Sequence, residues 1–412
     1  MQDPGHRHPN SSRQPENAMR EQARERLRMR QAAKEGSQTG GSHARHGSRA
    51  SGGTSKAAVE SLLTSVPSNG ATLARRMPAK AVVAGAAILV AIVALVATVS
   101  QCSRANDAEP EPVAVDADPV QDAVQAVSFE PSAEALDAVP AGSGLQTFSL
   151  AGADAPELAE EDASAIQSAL DEVLDHGDAS IVFYDLETGA GISYEPDTAI
   201  YGASSFKAPY ALYVCETLVE TGELSLDSLC PATSVVDYSS YYNGGSYPLY
   251  DLMEAAIVYS DNNAFGSLRD AYDSEGYDAW ARSLGATDAL YRSDSWFPWY
   301  CARTSAKVCT EMYSYLQTGT ETAEFLGELV GETETSFLRE AIADTGATVQ
   351  DKAGWCADED PKWNGINDAG IVTLGDDTYI MSVMTGMADS DNNRLRWENL
   401  AEAVFDAREA LS

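Results

Sequence analysis

From Ala81 to Val99 the chain is Ala, Val, Ile and Leu with one Gly and one Thr, and it carries no charge. At ~1.5 Å per residue, about 20 apolar residues cross the ~30 Å hydrocarbon core of a bilayer. A buried helix of a soluble protein would show polar positions at helical spacing over this length. This run shows none, and a transmembrane helix over residues 79–101 is expected. The charges on either side differ in sign. Residues 1–80 hold 14 Lys and Arg against 6 Asp and Glu, whereas residues 81–412 hold 13 against 57. Arg75, Arg76 and Lys80 precede the span and acidic residues follow it, so the positive-inside rule predicts a cytoplasmic N-terminus and a single pass. A cleaved signal peptide would have a short basic region rather than eighty residues. Cys102 invites a lipoprotein reading, but bulky Gln101 stands where a small residue would be expected.

Residues 1–78 are rich in Arg, Gln, Ser, Gly and His and poor in aromatics, so they read as a disordered basic cytoplasmic tail. A short charged helix over Arg20 to Lys34, on anionic lipid or nucleic acid, is the alternative there. Residues 102–155, dominated by Ala, Asp, Glu, Pro and Val, read as an acidic extracytoplasmic linker. The remainder, 156–412, is long enough for a single core. Its acidity disfavours nucleic acid as a partner.

Within that remainder Ser204-Ser205-Phe206-Lys207 opens an apolar, helix-like run. Residues three apart share a helix face, so the serine hydroxyl and the lysine amine can meet. A serine is a weak nucleophile until a base takes its proton, and a desolvated lysine can be that base. Ser260-Asp261-Asn262 follows the apolar stretch Leu252 to Tyr259, and Lys352-Ala353-Gly354 follows strand-like Ala347 to Gln350. His176 is the one histidine beyond the membrane run, at an apparent helix end, so a Ser-His-Asp triad and a histidine-rich zinc site are both disfavoured. No C-x-x-C spacing occurs, and the pattern calls for neither a metal nor a cofactor.

The order S-x-x-K, S-D-N, K-[TS]-G resembles that of class A β-lactamases and penicillin-binding proteins. The resemblance extends to Ala256-Ile257-Val258-Tyr259 and to Asn367-Asp368-Ala369-Gly370-Ile371-Val372, and covers roughly residues 157 to 412. It implies that Ser204 is the nucleophile and Lys207 its base or proton shuttle. Ser260 would relay a proton to the leaving nitrogen, and Asn262 would hold the substrate amide. Lys352, with Gly354 beside it, would meet the substrate carboxylate. The backbone N–H groups of Ser204 and Trp355 would form the oxyanion hole, where each donor is typically worth a few kcal/mol. For Asn262 a helix cap, and for Lys352 a solvated strand position, are the plainer readings.

Ala159 to Asp175 has helical periodicity. Strands are expected at Ser180 to Tyr184, Ile192 to Tyr194, Thr348 to Trp355, Gly370 to Leu374 and Tyr379 to Met384. Helices are expected through most of Ser204 to Gly331 and over Asn393 to Ala410. Two strands, a helical block, three strands and a terminal helix predict an α+β fold, an antiparallel sheet of about five strands flanked by helices. The β-lactamase/transpeptidase-like fold is of this kind.

Two departures from the family pattern bear on function. Class A β-lactamases carry an E-x-x-L-N loop whose glutamate activates the deacylating water, but no glutamate occurs between Gly285 and Thr304, where Asp288 and Asp294 are the only carboxylates. Ala353 also stands where a hydroxyl residue is usual. Cys215 with Cys230, and Cys301 with Cys356, are expected disulfides, which leaves Cys309 over. Trp296, Phe297, Trp299 and Tyr300 read either as core or as a cleft wall. The sequence therefore predicts a membrane-anchored, extracytoplasmic serine hydrolase acylated by a β-lactam or a D-Ala-D-Ala-type peptidoglycan peptide. Its alternative is a slowly deacylating sensor or binding protein.

Overall fold

The computed structural model describes residues 129–289 and 297–412. The expected tail, the membrane span and the linker up to residue 128 lie outside the described residues. Among the described residues no helix is long and apolar enough to cross a membrane.

Alternate residues of a strand point to opposite faces, and Ala179–Asp185 is buried along its whole length. That requires cover on both sides. Numbered along the chain, the sheet strands are β1 (Leu145–Ser149), β2 (Ala179–Asp185), β3 (Ala190–Tyr194), β4 (Thr348–Asp351), β5 (Gly354–Cys356), β6 (Gly365–Leu374) and β7 (Asp377–Thr385). They run β1-β3-β2-β7-β6-β4 across the sheet, all antiparallel, and β5 also pairs with β6. The helices are α1 (Glu160–Leu174), α2 (Lys207–Val214), α3 (Leu249–Ile257), α4 (Asn262–Tyr272), α5 (Tyr277–Ser283), α6 (Ala302–Leu316), α7 (Glu321–Gly331), α8 (Phe337–Ala341) and α9 (Asp391–Asp406).

Ile181 and Phe183 pack with Ile166 and Leu170 of α1 and with Trp397 and Leu400 of α9. Val182 and Tyr184 face the other way, into a core with Phe206, Leu252 and Leu326 of the helical block. Tyr184 Oη and Thr310 Oγ1, 2.6 Å apart, join sheet to α6 at the middle of that second core. The expected α+β class, an antiparallel sheet between helices, is the observed one.

The sheet has seven strands. The segment expected as one strand from Thr348 divides at Lys352-Ala353 into β4 and β5. The pairings Asp351 with Gly370 and Gly354 with Asn367 belong to one register, so the break adds no residue and β5 continues the line of β4.

The additional strand is β1, and it corrects the expected linker. Residues 129–149 belong to the folded domain. Leu136 is fully buried and Phe148 nearly so. Arg303 of α6 donates to Leu136 O and Val139 O at 2.7 Å each and pairs with Asp197. Lys307 of the same helix pairs with Asp137 at 2.5 Å. The Phe148 ring fills the space over Gly191, where a Cβ would come within 2.3 Å of it. A handful of apolar residues in an acidic segment is therefore enough to seat it, because two basic side chains await its carbonyls and carboxylates.

The cysteine pairing is corrected too. Cys215, Cys230, Cys301, Cys309 and Cys356 are all unpaired. Each thiol sits in its own surroundings: Cys230 Sγ lies 3.9 Å from Ser267 O of α4, and Cys301 Sγ lies 3.5 Å from Thr304 Oγ1.

Candidate active site

A tight 3-10 turn, Ala203–Phe206, leads directly into α2 and carries Ser204. Ala203 has φ +46°, a left-handed conformation that costs energy for a residue with a Cβ. The turn is fastened from beneath. Ser205 Oγ donates to Gly202 O at 2.7 Å and lies 2.5 Å from Tyr300 Oη, while Gly202 N donates to Pro298 O at 3.0 Å.

Lys207, the first residue of α2, is buried with its amine aimed at the loop between α3 and α4. Its Nζ donates to Ser260 O at 2.7 Å, Ser260 Oγ at 3.2 Å and Asn262 Oδ1 at 2.8 Å. Ser260 is itself left-handed, with φ +54°. Asp261 caps α4 by accepting from Ala264 N at 2.8 Å, so the cap role falls to Asp261 and leaves the Asn262 amide for the cleft. Asn263 anchors the preceding loop through Val236 N, Asp237 N and Asp237 O.

Burial holds the Lys207 amine well below the usual lysine range, and the nearby Lys352 charge pushes it the same way against the pull of Asp261. The rings of Phe265 and Phe297 lie 5.7 and 5.6 Å from Nζ. Phe297 stacks on Phe265 beside this amine, Tyr300 is core, and half-buried Trp299 packs on Tyr201 and Trp363. The aromatic segment thus serves both as core and as wall; Trp296 lies outside the described residues.

Lys352 stands at the break between β4 and β5. It is buried, not solvated, and its Nζ donates to Ala353 O at 2.8 Å. Burial brings its amine down to about 8, opposed by Asp368 and Asp351 behind it. Those two carboxyls are themselves buried against each other. Burial and the Asp351 charge push Asp368 well above the usual carboxylate range, and burial raises Asp351 as well. Asp351 accepts from Thr333 Oγ1 at 2.8 Å and from Ser336 Oγ, and Asp368 from Phe337 N and Leu338 N at 2.8 and 3.1 Å.

Gly354 brings β5 hard against the serine turn. A Cβ there would lie 2.2 Å from Ser205 N, 2.6 Å from Gly202 O and 2.8 Å from Ser204 N, all of them backbone. The next residue, Trp355, therefore reaches the cleft beside Ser204. Ser204, Ser260, Asn262, Lys352 and Trp355 line one cleft of about 260 Å³, with Val258, Tyr259, Glu334 and Thr335 completing its wall. The residues expected to carry the chemistry, Ser204, Lys207, Ser260, Asn262, Lys352, Gly354 and Trp355, converge here, Lys207 and Gly354 just behind the surface. Glu334 and Thr335 were not foreseen.

Asp288, a carboxylate of the loop without a glutamate, is committed elsewhere. Its Oδ2 accepts from Cys301 N at 3.0 Å and its Oδ1 from Thr304 Oγ1 at 2.5 Å. Asp294 lies outside the described residues.

Residues 163–407 match the model of the Beta-lactamase enzyme family. The chain belongs to that family. Among solved structures it is similar to a β-lactamase from Chitinophaga pinensis, at 19% identity and TM-score 0.53 over 60% of this chain and 99% of that one. PBP-A is similar at 18% identity and TM-score 0.51 over 60% and 96%, and the TLA-3 extended-spectrum β-lactamase at 17% and 0.52 over 60% and 99%. No curated protein matches the chain. At such identities the solved structures speak for the fold of this β-lactamase family member, which is that of β-lactamase-type serine hydrolases. The strap 129–149 precedes the residues that the family model matches.

Proposed function

We propose that this β-lactamase family member forms an acyl-enzyme on Ser204 with β-lactams or D-Ala-D-Ala-type wall peptides, outside the cell membrane and tethered by the 79–101 span. The observation that carries this reading is the Lys207 amine, desolvated and held by Ser260 and Asn262 one helical turn from Ser204. A neutral amine so placed takes the serine proton as the hydroxyl attacks the carbonyl carbon. Ser260 passes a proton on to the leaving nitrogen, and the Ser204 and Trp355 N–H groups receive the charge on the carbonyl oxygen. Asn262 holds the substrate amide and Lys352 its carboxylate.

Deacylation is the slower half in this reading. Asp288 has both oxygens engaged in shaping its own loop, and no other carboxylate among the described residues of that loop is there to activate a water held against the ester. This favours a long-lived adduct, the behaviour of a penicillin-binding protein or β-lactam sensor, over fast hydrolysis. PBP-A, a structural relative, has a mutant described as an acyl-enzyme complex with penicillin G, which supports the chemistry as one this fold can perform.

Intact mass of the protein followed over time with benzylpenicillin, alongside a Ser204→Ala control, tests the proposal. A lasting adduct on the Ser204 protein alone supports it. Rapid release of hydrolysed drug would make the protein a β-lactamase with another water-activating group. No adduct at any concentration would sink the acyl-enzyme reading.

A further inference from the structure

Arg269, on α4, is 1% exposed and carries its charge deep into the helical block. A buried cation destabilises a fold unless its surroundings answer it. Asp273, one turn on, accepts from Arg269 Nε at 2.6 Å. Aromatic rings supply more. The guanidinium carbon lies 4.9 Å from the centre of the Tyr210 ring, 5.2 Å from Phe206, 5.4 Å from Tyr277 and 5.9 Å from Phe265. All four fall within the ~6 Å over which a ring face attracts a cation. They come from different elements: Phe206 ends the serine turn, Tyr210 is on α2, Phe265 on α4 and Tyr277 on α5.

One of these rings also serves the second buried cation. The Phe265 ring lies 5.7 Å from Lys207 Nζ and stacks on Phe297, the other ring beside that amine. Phe206 and Tyr210 meet it edge to face, each at 85°. We propose that Arg269 is a positioning residue for Lys207: by gathering Phe206, Tyr210, Phe265 and Tyr277 around its charge, it fixes the ring wall that keeps water from the Lys207 amine. The inference rests on the acyl-enzyme reading, in which Lys207 must be neutral to take the serine proton. The groups that face Lys207 are Lys352, which disfavours its proton, Asp261, which favours it, and the neutral Ser260 and Asn262. Those around Arg269 are Asp273, Tyr210 and Tyr277. Replacing Arg269 leaves every group that faces Lys207 in place, so a change in the lysine's titration reports on the wall.

The test compares the parent with an Arg269→Met/Asp273→Asn protein, in which loss of both members of the ion pair strands no charge. NMR of lysines isotope-labelled at Cε reads the titration without any substrate, and Lys207→Met assigns the resonance. Lys207 should titrate well below the usual lysine range in the parent and higher in the double variant. Acylation at neutral pH should fall about tenfold for each unit of that rise. Arg269→Lys, which keeps a cation among the rings, should restore most of the parent behaviour. Phe265→Leu, which keeps Arg269 and removes the shared ring, should raise the titration as the double variant does, and it decides the matter if the double variant does not fold. A lower melting temperature with the Lys207 titration unmoved would make Arg269 merely structural and overturn the proposal. An unmoved titration in Phe265→Leu, or a parent Lys207 already in the usual range, overturns it too. A shifted titration in proteins that form no adduct would sink the acyl-enzyme reading and leave the Arg269 assignment standing.

Discussion

Lys207 and Asn262 each stand at the first position of a helix, and the lysine Nζ meets the asparagine Oδ1 at 2.8 Å. The bond makes the start of α2 and the start of α4 one rigid object. Replacing Lys207 by Met removes the amine and fills the same buried space with apolar atoms. Acylation should fall by about 10²- to 10⁴-fold, the usual worth of a positioned acid–base group. Thermal stability should hold or rise, because a buried amine costs desolvation that Met does not. A loss of acylation matched by a large drop in melting temperature would mean that Lys207 is chiefly structural.

The rate of acylation by an anionic β-lactam should follow a bell in pH. The rising limb belongs to Lys207, whose burial lets it lose its proton well below the usual lysine range. The falling limb belongs to Lys352, charged below about 8 and neutral above, where it ceases to attract the substrate carboxylate. The same lowered value makes the Lys352 contribution to stability grow as pH rises from about 8 towards 10.5, since the unfolded chain keeps the proton longer. Asp368→Asn removes the larger of the two charges that oppose the burial of Lys352 and should move the falling limb lower. Neutralising both carboxyls should move it lower still. Stopped-flow acylation across pH on these proteins checks the assignment; a falling limb indifferent to the double change would refute it.

Gly354→Ala places a methyl group onto the backbone of Gly202, Ser204 and Ser205, none of which can rotate away. Overpacking of this kind costs about 1–3 kcal/mol. Acylation should suffer more than stability, because in the proposed reaction the displaced atoms carry the nucleophile and one oxyanion donor. Calorimetry and adduct formation on the same sample separate the two. Acylation equal to that of the parent protein would show that β5 can move back without disturbing the turn.

A chain beginning at residue 156 should be less stable than one beginning at residue 129. It lacks the buried Leu136, Val139 and Phe148. Full burial of such side chains is worth about 1.5–3 kcal/mol each, as an upper estimate. It also leaves Lys307 without Asp137 and takes the carbonyls of Leu136 and Val139 from Arg303, which keeps only Asp197. A melting temperature lower by more than about 5 °C is expected, with acylation at 15 °C little changed. Equal melting temperatures would make the strap an ornament.

Much of the candidate site was legible because its signals are local. Ser204 and Lys207 lie within one helical turn, the S-D-N triplet spans a helix start, and Gly354 follows Lys352 by two residues. Strand β2 and helix α1 were equally plain from the repeat of their apolar residues. What escaped depends on distant partners. Thr333 to Ser336 reads as a polar loop, and only Asp351 turns Glu334 and Thr335 towards the cleft. Residues 129–149 have the composition of a spacer, and what seats them is Arg303 and Lys307, more than 150 positions away in sequence. The cysteines misled because a place beside a loop or a motif does not say where a thiol points. Four of them are buried and Cys356 is only half-buried.

Ala203 and Ser260, two of the non-glycine residues with positive φ among those described, meet at the same cleft. A glycine at position 203 would relax one of them at once. That substitution is open to evolution in a single base change, and it would yield a hardier protein. A chain that keeps alanine there holds its fold below the stability within easy reach, and it holds that strain in the turn that carries Ser204. Selection for thermal robustness alone would loosen this centre first, well before it touched the packing beneath the sheet.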